Sequence, residues 1–290
     1  MKIQARCNSV LGIAGLLLGL ALPLAAGTAS SYVGSLAPDD ANKVFTVTFT
    51  LAKSGPVIIQ SYGYGGSSQA PGGVNASGQA IVSGGFDPYI SVFVGTGDAA
   101  TFLASNDDGS CPPGAALPLC HDSGLTLVLP AGSYTVALSV FENFSFAENL
   151  GSGTLGDGFI GLGNYYDAAS ATTRSSNYAL DVKIPAIVSN QVAVTQNGFV
   201  RNHSTGLWTA TLTVTNTGAS AIAGPVQVAF TNLSANATMV NETGVLLGNP
   251  YITVTTGTLA PGKSVSVPIQ FSNPSNGYIN FVPVTYSGMF

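Results

Sequence analysis

Charge is the scarcest property of this 290-residue chain: only 7% of its residues are Asp, Glu, Lys or Arg. Eight basic residues against thirteen acidic ones leave no basic surface for nucleic acid or an anionic membrane. Histidine occurs only as His121 and His203, cysteine only three times. His203 sits in a turn-like stretch of the second half and no Gly-x-Ser-x-Gly elbow occurs, so a Ser-His-Asp triad is not expected. His-Glu-x-x-His, a Walker loop and a dinucleotide fingerprint are absent as well. Paired carboxylates can serve a glycosidase, but the acids here are mostly Asp beside Gly and Asn, which is turn usage. Beyond the first segment no long apolar run occurs. The 36 glycines and 16 prolines argue against long helices.

The first segment has the three parts of a secretory signal. Lys2 and Arg6 charge its start, Val10 to Leu24 is apolar, and Ala25-Ala26-Gly27-Thr28-Ala29 is small and cleavable. Residues 1–29 are therefore read as a signal peptide cut after Gly27 or Ala29; an uncleaved anchor is the rival, disfavoured because the run is short for a bilayer. Removal of Lys2 and Arg6 leaves six basic residues and a formal net charge of −7. No membrane contact is expected after cleavage, and the product is expected to be secreted, periplasmic or at the cell surface. Cys111 and Cys120 then remain as an even pair, most simply a disulfide in an exported chain. A metal site is the alternative, but two cysteines and the neighbouring His121 fall short of a closed zinc shell.

What the chain does have is period-two alternation. Phe45, Val47, Phe49 and Leu51 share one face of a strand whose other face is threonine. Ser31 to Asn42 reads as a polar lead-in, and Ser61 to Gly85 as a long irregular Gly/Ser/Tyr connection. Tyr89 to Val94 and Thr101 to Ser105 form a hairpin around Gly95-Thr96-Gly97-Asp98. Leu125 to Leu129 and Tyr134 to Val140 follow, then an irregular stretch over 141–176, then Tyr178 to Ile184. Twelve of the thirteen acids lie between Asp39 and Asp181. The charge density drops where the last strand closes, so a boundary is read at 185–191. Trp208 to Val214, Val226 to Phe230, Val265 to Phe271 and Ile279 to Tyr286 give a second set of short strands. The chain thus reads as all-β, with two β-sandwich domains over 30–185 and 190–290, the second immunoglobulin-like.

Acidic side chains gather around the hairpin. Asn106-Asp107-Asp108-Gly109 offers side-chain oxygens beside a residue that permits a bend. Asp87 begins the partner strand, and Asp122 follows the cystine loop. Simple pairing places Asp87 and Asp107 at the same end of the ladder, where unneutralised carboxylates repel. Calcium, which takes oxygen ligands in flexible loops, is the expected cofactor, held by Asp87, Asn106, Asp107, Asp108 and Asp122. The Asp-x-Asp-x-Asp-Gly spacing of an EF-hand is missing. The rival is that Asn and Asp simply build side-chain turns.

These same residues carry a resemblance. Phe86-Asp87-Pro88-Tyr89, then Ala104 to Gly109, then Leu129-Pro130-Ala131-Gly132-Ser133-Tyr134-Thr135-Val136 resemble the bacterial pre-peptidase C-terminal domains, in a branch of secreted proteins marked by Phe-Asp-Pro. The resemblance covers Val44 to Ile184 and implies a jelly-roll-like sandwich in an exported protein; some relatives bind calcium and some bind extracellular polymers. Asp87, Asp107 and Asp108 fall on its motif positions, and the 141–176 stretch departs from its compact pattern. The expected function is a non-catalytic surface or matrix protein that binds an extracellular polymer or protein and is stiffened by calcium. The alternatives are a carbohydrate-binding module using Tyr62, Tyr64, Phe144, Phe146, Tyr165 and Tyr166, and an enzyme with its acids and His121 in one pocket.

Overall fold

The computed structural model describes residues 27–65, 71–115, 120–150 and 152–290. Residues 1–26 of the expected signal peptide lie outside the described residues. The fold is all-β. In the first sandwich β1 is Thr28–Ser35, β2 Phe45–Leu51, β3 Gly55–Tyr62, β4 Pro71–Val74, β5 Ala80–Val82 and β6 Pro88–Val94. They are followed by β7 Thr101–Asn106, β8 Gly124–Leu129, β9 Gly132–Val140, β10 Tyr166–Asp167, β11 Thr172–Thr173 and β12 Asn177–Ile184. One sheet runs β1-β12-β3-β8 and faces a second ordered β2-β9-β6-β7. Between them lie Val57, Ile59, Leu180 and Val182 from the first sheet and Ile90, Val92, Val136 and Leu138 from the second.

The first part of the stretch read as a polar lead-in, Ser31 to Ser35, belongs to a strand, while 36–42 is a turn and coil. β1 pairs with β12 along its whole length, from Thr28↔Ile184 to Ser35↔Asn177. An edge strand is held by its backbone groups and does not need the apolar alternation that marks a core strand. Thr28 and Ala29 belong to it, so a cut after Gly27 keeps the strand whole while a cut after Ala29 removes two of its pairs. The Ser61–Gly85 connection also contains more order than expected: β4 and β5 form a small hairpin.

Strand β6 is buried along nearly its whole length, because both its faces are covered. Ile90 and Val92 point into the sandwich. Phe93 on the opposite face packs with Ala100, Ala137 and Ala147, and with Leu155 and Phe159 of the long 141–176 stretch. That stretch therefore acts as a lid on the outer face of the second sheet. Two short 3-10 turns, Phe146–Asn149 and Leu155–Asp157, shape it.

The second sandwich begins with β13 Ala186–Ile187, β14 Val192–Gln196, β15 Val200–Arg201, β16 Trp208–Asn216 and β17 Val226–Thr231. It continues with β18 Thr238–Met239, β19 Gly244–Leu246, β20 Asn249–Thr255, β21 Ser264–Ser272 and β22 Val282–Ser287. Its sheets run β13-β22-β17-β20-β19 and β14-β16-β21-β18, with β15 paired to β16. Leu212, Val214, Val228, Phe230, Ile269 and Phe271 fill the space between. Ile58 on the outer face of β3 is buried against Ala229, Leu246 and Tyr286, which joins the two sandwiches. Gly27 lies in the same seam, where a Cβ would come within 2.1 Å of the Ser287 carbonyl.

Candidate cation site

Three segments meet at one end of the first sandwich. Asp87 precedes β6, Asp107 and Asp108 follow β7, and His121 and Asp122 precede β8. Pairing of Ile90 with Asn106 brings the first two together. The Cys111–Cys120 disulfide, with Cα atoms 5.4 Å apart, returns the third. Gly109 crosses so close to the returning chain that a Cβ would lie 2.6 Å from the Gly124 nitrogen. Its N–H donates to the Asp122 carbonyl at 2.9 Å. The Ser123 hydroxyl lies against the carbonyls of both Pro88 and Asp107, which share its single proton.

The result is a cleft of about 280 Å³ with Asp87, Asp107, Asp108 and His121 along one side. Phe141, Glu142 and residues 164–169 form the other. One ligand atom from each of Asp87, Asp108 and His121 lies within 4.8 Å of the others. His121 Nδ1 is 2.9 Å from Asp108 Oδ1. Asp87 Oδ1 and Asp107 Oδ1 are buried without a hydrogen-bond partner among the described residues. Burial, followed by the charges of Asp107, Asp108 and Asp167, pushes the Asp87 carboxyl up to about 8; Arg174 pulls the other way. Burial and Asp108 push Asp107 up to about 6. Two buried carboxylate oxygens without a partner, lining one cleft with the exposed carboxylate of Asp108, fit a hard cation. Asp87 and Asp108, whose ligand atoms lie together with that of His121, would hold it, and Asp107 lines the cleft beside them.

Two of the expected ligands are turned elsewhere. Asn106 is a staple: its Oδ1 accepts from the Gly124 N–H at 2.9 Å and its Nδ2 donates to the Asp108 carbonyl at 3.2 Å. Asp122 is fully buried and its Oδ1 accepts from the Ser61 hydroxyl at 3.2 Å and the Tyr64 N–H at 3.4 Å. Burial pushes its carboxyl up to about 7 despite those donors. Adjacent residues of an extended chain point to opposite sides, so His121 enters the cleft while Asp122 faces the interior. His121 was not among the expected ligands; its place directly after the returning cysteine was the available signal.

The aromatic residues divide in the same way. Tyr62 and Tyr64, expected on a loop surface, are buried at 3% and 2% exposure. Tyr64 donates its hydroxyl to Asp167 Oδ2 at 2.6 Å, sets its edge against His121, and lies under the Arg174 guanidinium, 3.8 Å from the ring centre. Arg174 is itself buried and donates to the carbonyls of Gly85 and Tyr64. Asp167 is held below the usual carboxylate range: burial opposes this, but the Ser170 and Tyr64 hydroxyls and the Ala169 N–H outweigh it. Tyr165 is half-buried, with its hydroxyl donating to the Ala37 carbonyl at 2.8 Å. Of the four tyrosines only Tyr166 presents an exposed ring to the cleft.

No family model and no curated protein matches the sequence. Solved structures resemble it only remotely. A protein from Sulfurospirillum deleyianum is 9% identical with a TM-score of 0.27, covering 53% of this chain and 97% of its own. A GH2 beta-galacturonidase from Eisenbergiella tayi is 10% identical with a TM-score of 0.21, covering 91% of this chain and 43% of its own. DesR, a beta-glucosidase from Streptomyces venezuelae, is 11% identical with a TM-score of 0.18, covering 89% and 44%. This chain thus spans under half the length of the two glycosidases, and likenesses so remote carry no functional argument. No helix among the described residues is long and apolar enough to cross a membrane. The disulfide is compatible with an extracellular or periplasmic protein.

Proposed function

We propose that the chain is an exported, non-catalytic binding protein whose first sandwich is stiffened by a calcium ion at the end of the β6–β7 hairpin. The observation that carries this reading is the convergence of Asp87, Asp107 and Asp108, two of them with a buried oxygen that has no partner among the described residues. A bound divalent ion supplies the positive charge that these carboxylates otherwise lack. Calcium is favoured because the unspent donors are carboxylate oxygens; His121 serves as the hydrogen-bond partner of Asp108. The resemblance to the pre-peptidase C-terminal domains accords with this, and with a polymer or protein partner outside the cell. The deciding experiment is thermal unfolding in chelator, then at millimolar Ca²⁺, Mg²⁺ and Zn²⁺. The reading expects a rise of several degrees with Ca²⁺ that chelator reverses; an unchanged midpoint with all three ions removes it.

A second reading has its own observation: the acids and His121 share one cleft, as an enzyme requires. Asp87, held protonated near neutral pH, and an ionised neighbour would form an acid–base pair. Turnover of a glycoside panel that Asp87→Asn abolishes, together with a midpoint insensitive to cations, would favour this reading over the first. The carbohydrate-module alternative keeps Phe146 and Tyr166 as exposed rings, and of these only Tyr166 lines the acidic cleft.

A further inference from the structure

Three parts of the chain cross at Gly27: the approach to β1, the linker at Pro185 and the end of β22. We propose that the export leader is cut at the Ala26–Gly27 bond, which leaves Gly27 as the first residue of the mature chain and as a clasp between the two sandwiches. This rests on the reading of the chain as exported. It names the bond that is hydrolysed, one residue before the earlier of the two bonds that composition suggests. Water adds across that bond, so Ala26 departs as a carboxylate and Gly27 keeps a free amine.

The closeness of the crossing carries the inference. A Cβ on Gly27 would lie 2.1 Å from the Ser287 carbonyl oxygen and 2.9 Å from the Gly288 Cα. A Cβ on Gly288 would in turn lie 2.9 Å from the Gly27 Cα and 3.4 Å from the Pro185 Cα. Gly288 also has a φ of 107°, which favours glycine. The second sandwich cannot give way here, because Ser287 is paired on both sides, with Ala186 and Val226. The Gly288 N–H donates to the Pro225 carbonyl at 2.9 Å, and its own carbonyl accepts from the buried Gln227 amide at 2.7 Å. On the other side, the β1–β12 ladder ends at Thr28↔Ile184. Continuing that register puts Gly27 opposite Pro185, which has no N–H to offer. Gly27 is therefore placed by its packing on the second sandwich, and a residue with that task belongs to the folded, exported chain. A cut after Gly27 deletes it, and a cut after Ala29 deletes it together with two β1 pairs. The bond after Ala26 keeps it and has a small residue directly before the cut. It puts Leu24 three residues before the cut, where a small residue is usual, so composition alone ranks it behind the other two.

The test reads the first residue of the product. The full chain is expressed with its own leader in a bacterium, recovered from outside the cytoplasm, and examined by intact mass and amino-terminal sequencing. Gly27 is the expected first residue. A product that starts at Thr28 or Ser30 overturns the inference and leaves the export reading standing; a product that keeps Met1 and stays inside the cell removes both. Ala26→Phe places a bulky ring directly before the bond and should stop processing. Normal processing of that variant overturns the proposal, because position 26 tolerates any residue if either of the other bonds is cut. The clasp is read separately. Chains released from a fusion partner with Gly27 or with Thr28 as the first residue are compared by thermal unfolding. The chain that begins with Gly27 should melt a few degrees higher; equal midpoints overturn the role given to Gly27.

Discussion

Asp87 and Asp122 have raised carboxyls for different reasons, and their amides should separate the two. Asp87→Asn removes a carboxyl that the cation-free cleft holds protonated near neutral pH at the expense of stability. Its expected effect is a midpoint in chelator a few degrees higher and a calcium-induced rise that is lost. Asp122→Asn keeps an acceptor for Ser61 and Tyr64 at the same place and touches nothing in the cleft. It should leave the calcium response within error of the unmodified chain. Unfolding curves in chelator and in Ca²⁺ for both variants check this; a response lost in Asp122→Asn and kept in Asp87→Asn would place the ion on the wrong side of His121. The convergence of Asp87, Asp107 and Asp108 on one cleft was legible because hairpin pairing alone brings the start of β6 to the end of β7. Asn106 and Asp122 were misread because closeness in sequence says nothing about the side to which a side chain turns. Tyr62 and Tyr64 were misread because glycine and serine around them imitate a loop. In fact β3 runs through Tyr62, and Arg174 stacks over Tyr64.

At the level of elements, the cystine bridge joins the two segments that carry the site. Cys111 lies three residues after Asp108, and Cys120 directly precedes His121. Replacing both with serine should cost about 2.5–3 kcal/mol through the freed unfolded chain. It should also weaken the calcium response, because His121 loses its fixed approach to Asp108. Calorimetric affinity for Ca²⁺ in the double variant, compared with the unmodified chain, tests the second effect apart from the first; unchanged affinity would show that the bridge serves stability alone. The 141–176 stretch makes a second element-level prediction. Phe93 is fully buried between β6 and that stretch, so Phe93→Ala should cost about 3–5 kcal/mol in denaturant unfolding. A loss under 1 kcal/mol would mean that the lid does not pack on the sheet. Core strands such as β2, β6, β9, β12, β16, β17 and β21 were readable from alternation; β20, whose Ile252 and Val254 face the second core, was not, and neither were β1 and the β4–β5 hairpin. The latter two are held by backbone pairing at a margin, where composition is free to be polar.

Across the whole molecule, the gathering of acids in the first sandwich has a consequence for stability as pH changes. Asp87, Asp122 and Asp107 have folded-state values of about 8, 7 and 6. In the unfolded chain such groups titrate near the ordinary value, about 3.9. Between those limits the folded protein binds more protons than the unfolded one, so cation-free stability falls as pH rises from about 4 to about 8. Calcium competes with the same protons at Asp87 and Asp107, so its stabilising effect grows over the upper part of that window. Midpoints measured from pH 5 to pH 8 should therefore decline in chelator and decline less steeply in saturating Ca²⁺, where Asp122 alone still titrates. The gap between the two curves should be widest at pH 8. A midpoint in chelator that climbs across this range would mean that the three carboxylates are stabilised as anions by the protein itself, and a cation would then have nothing to neutralise.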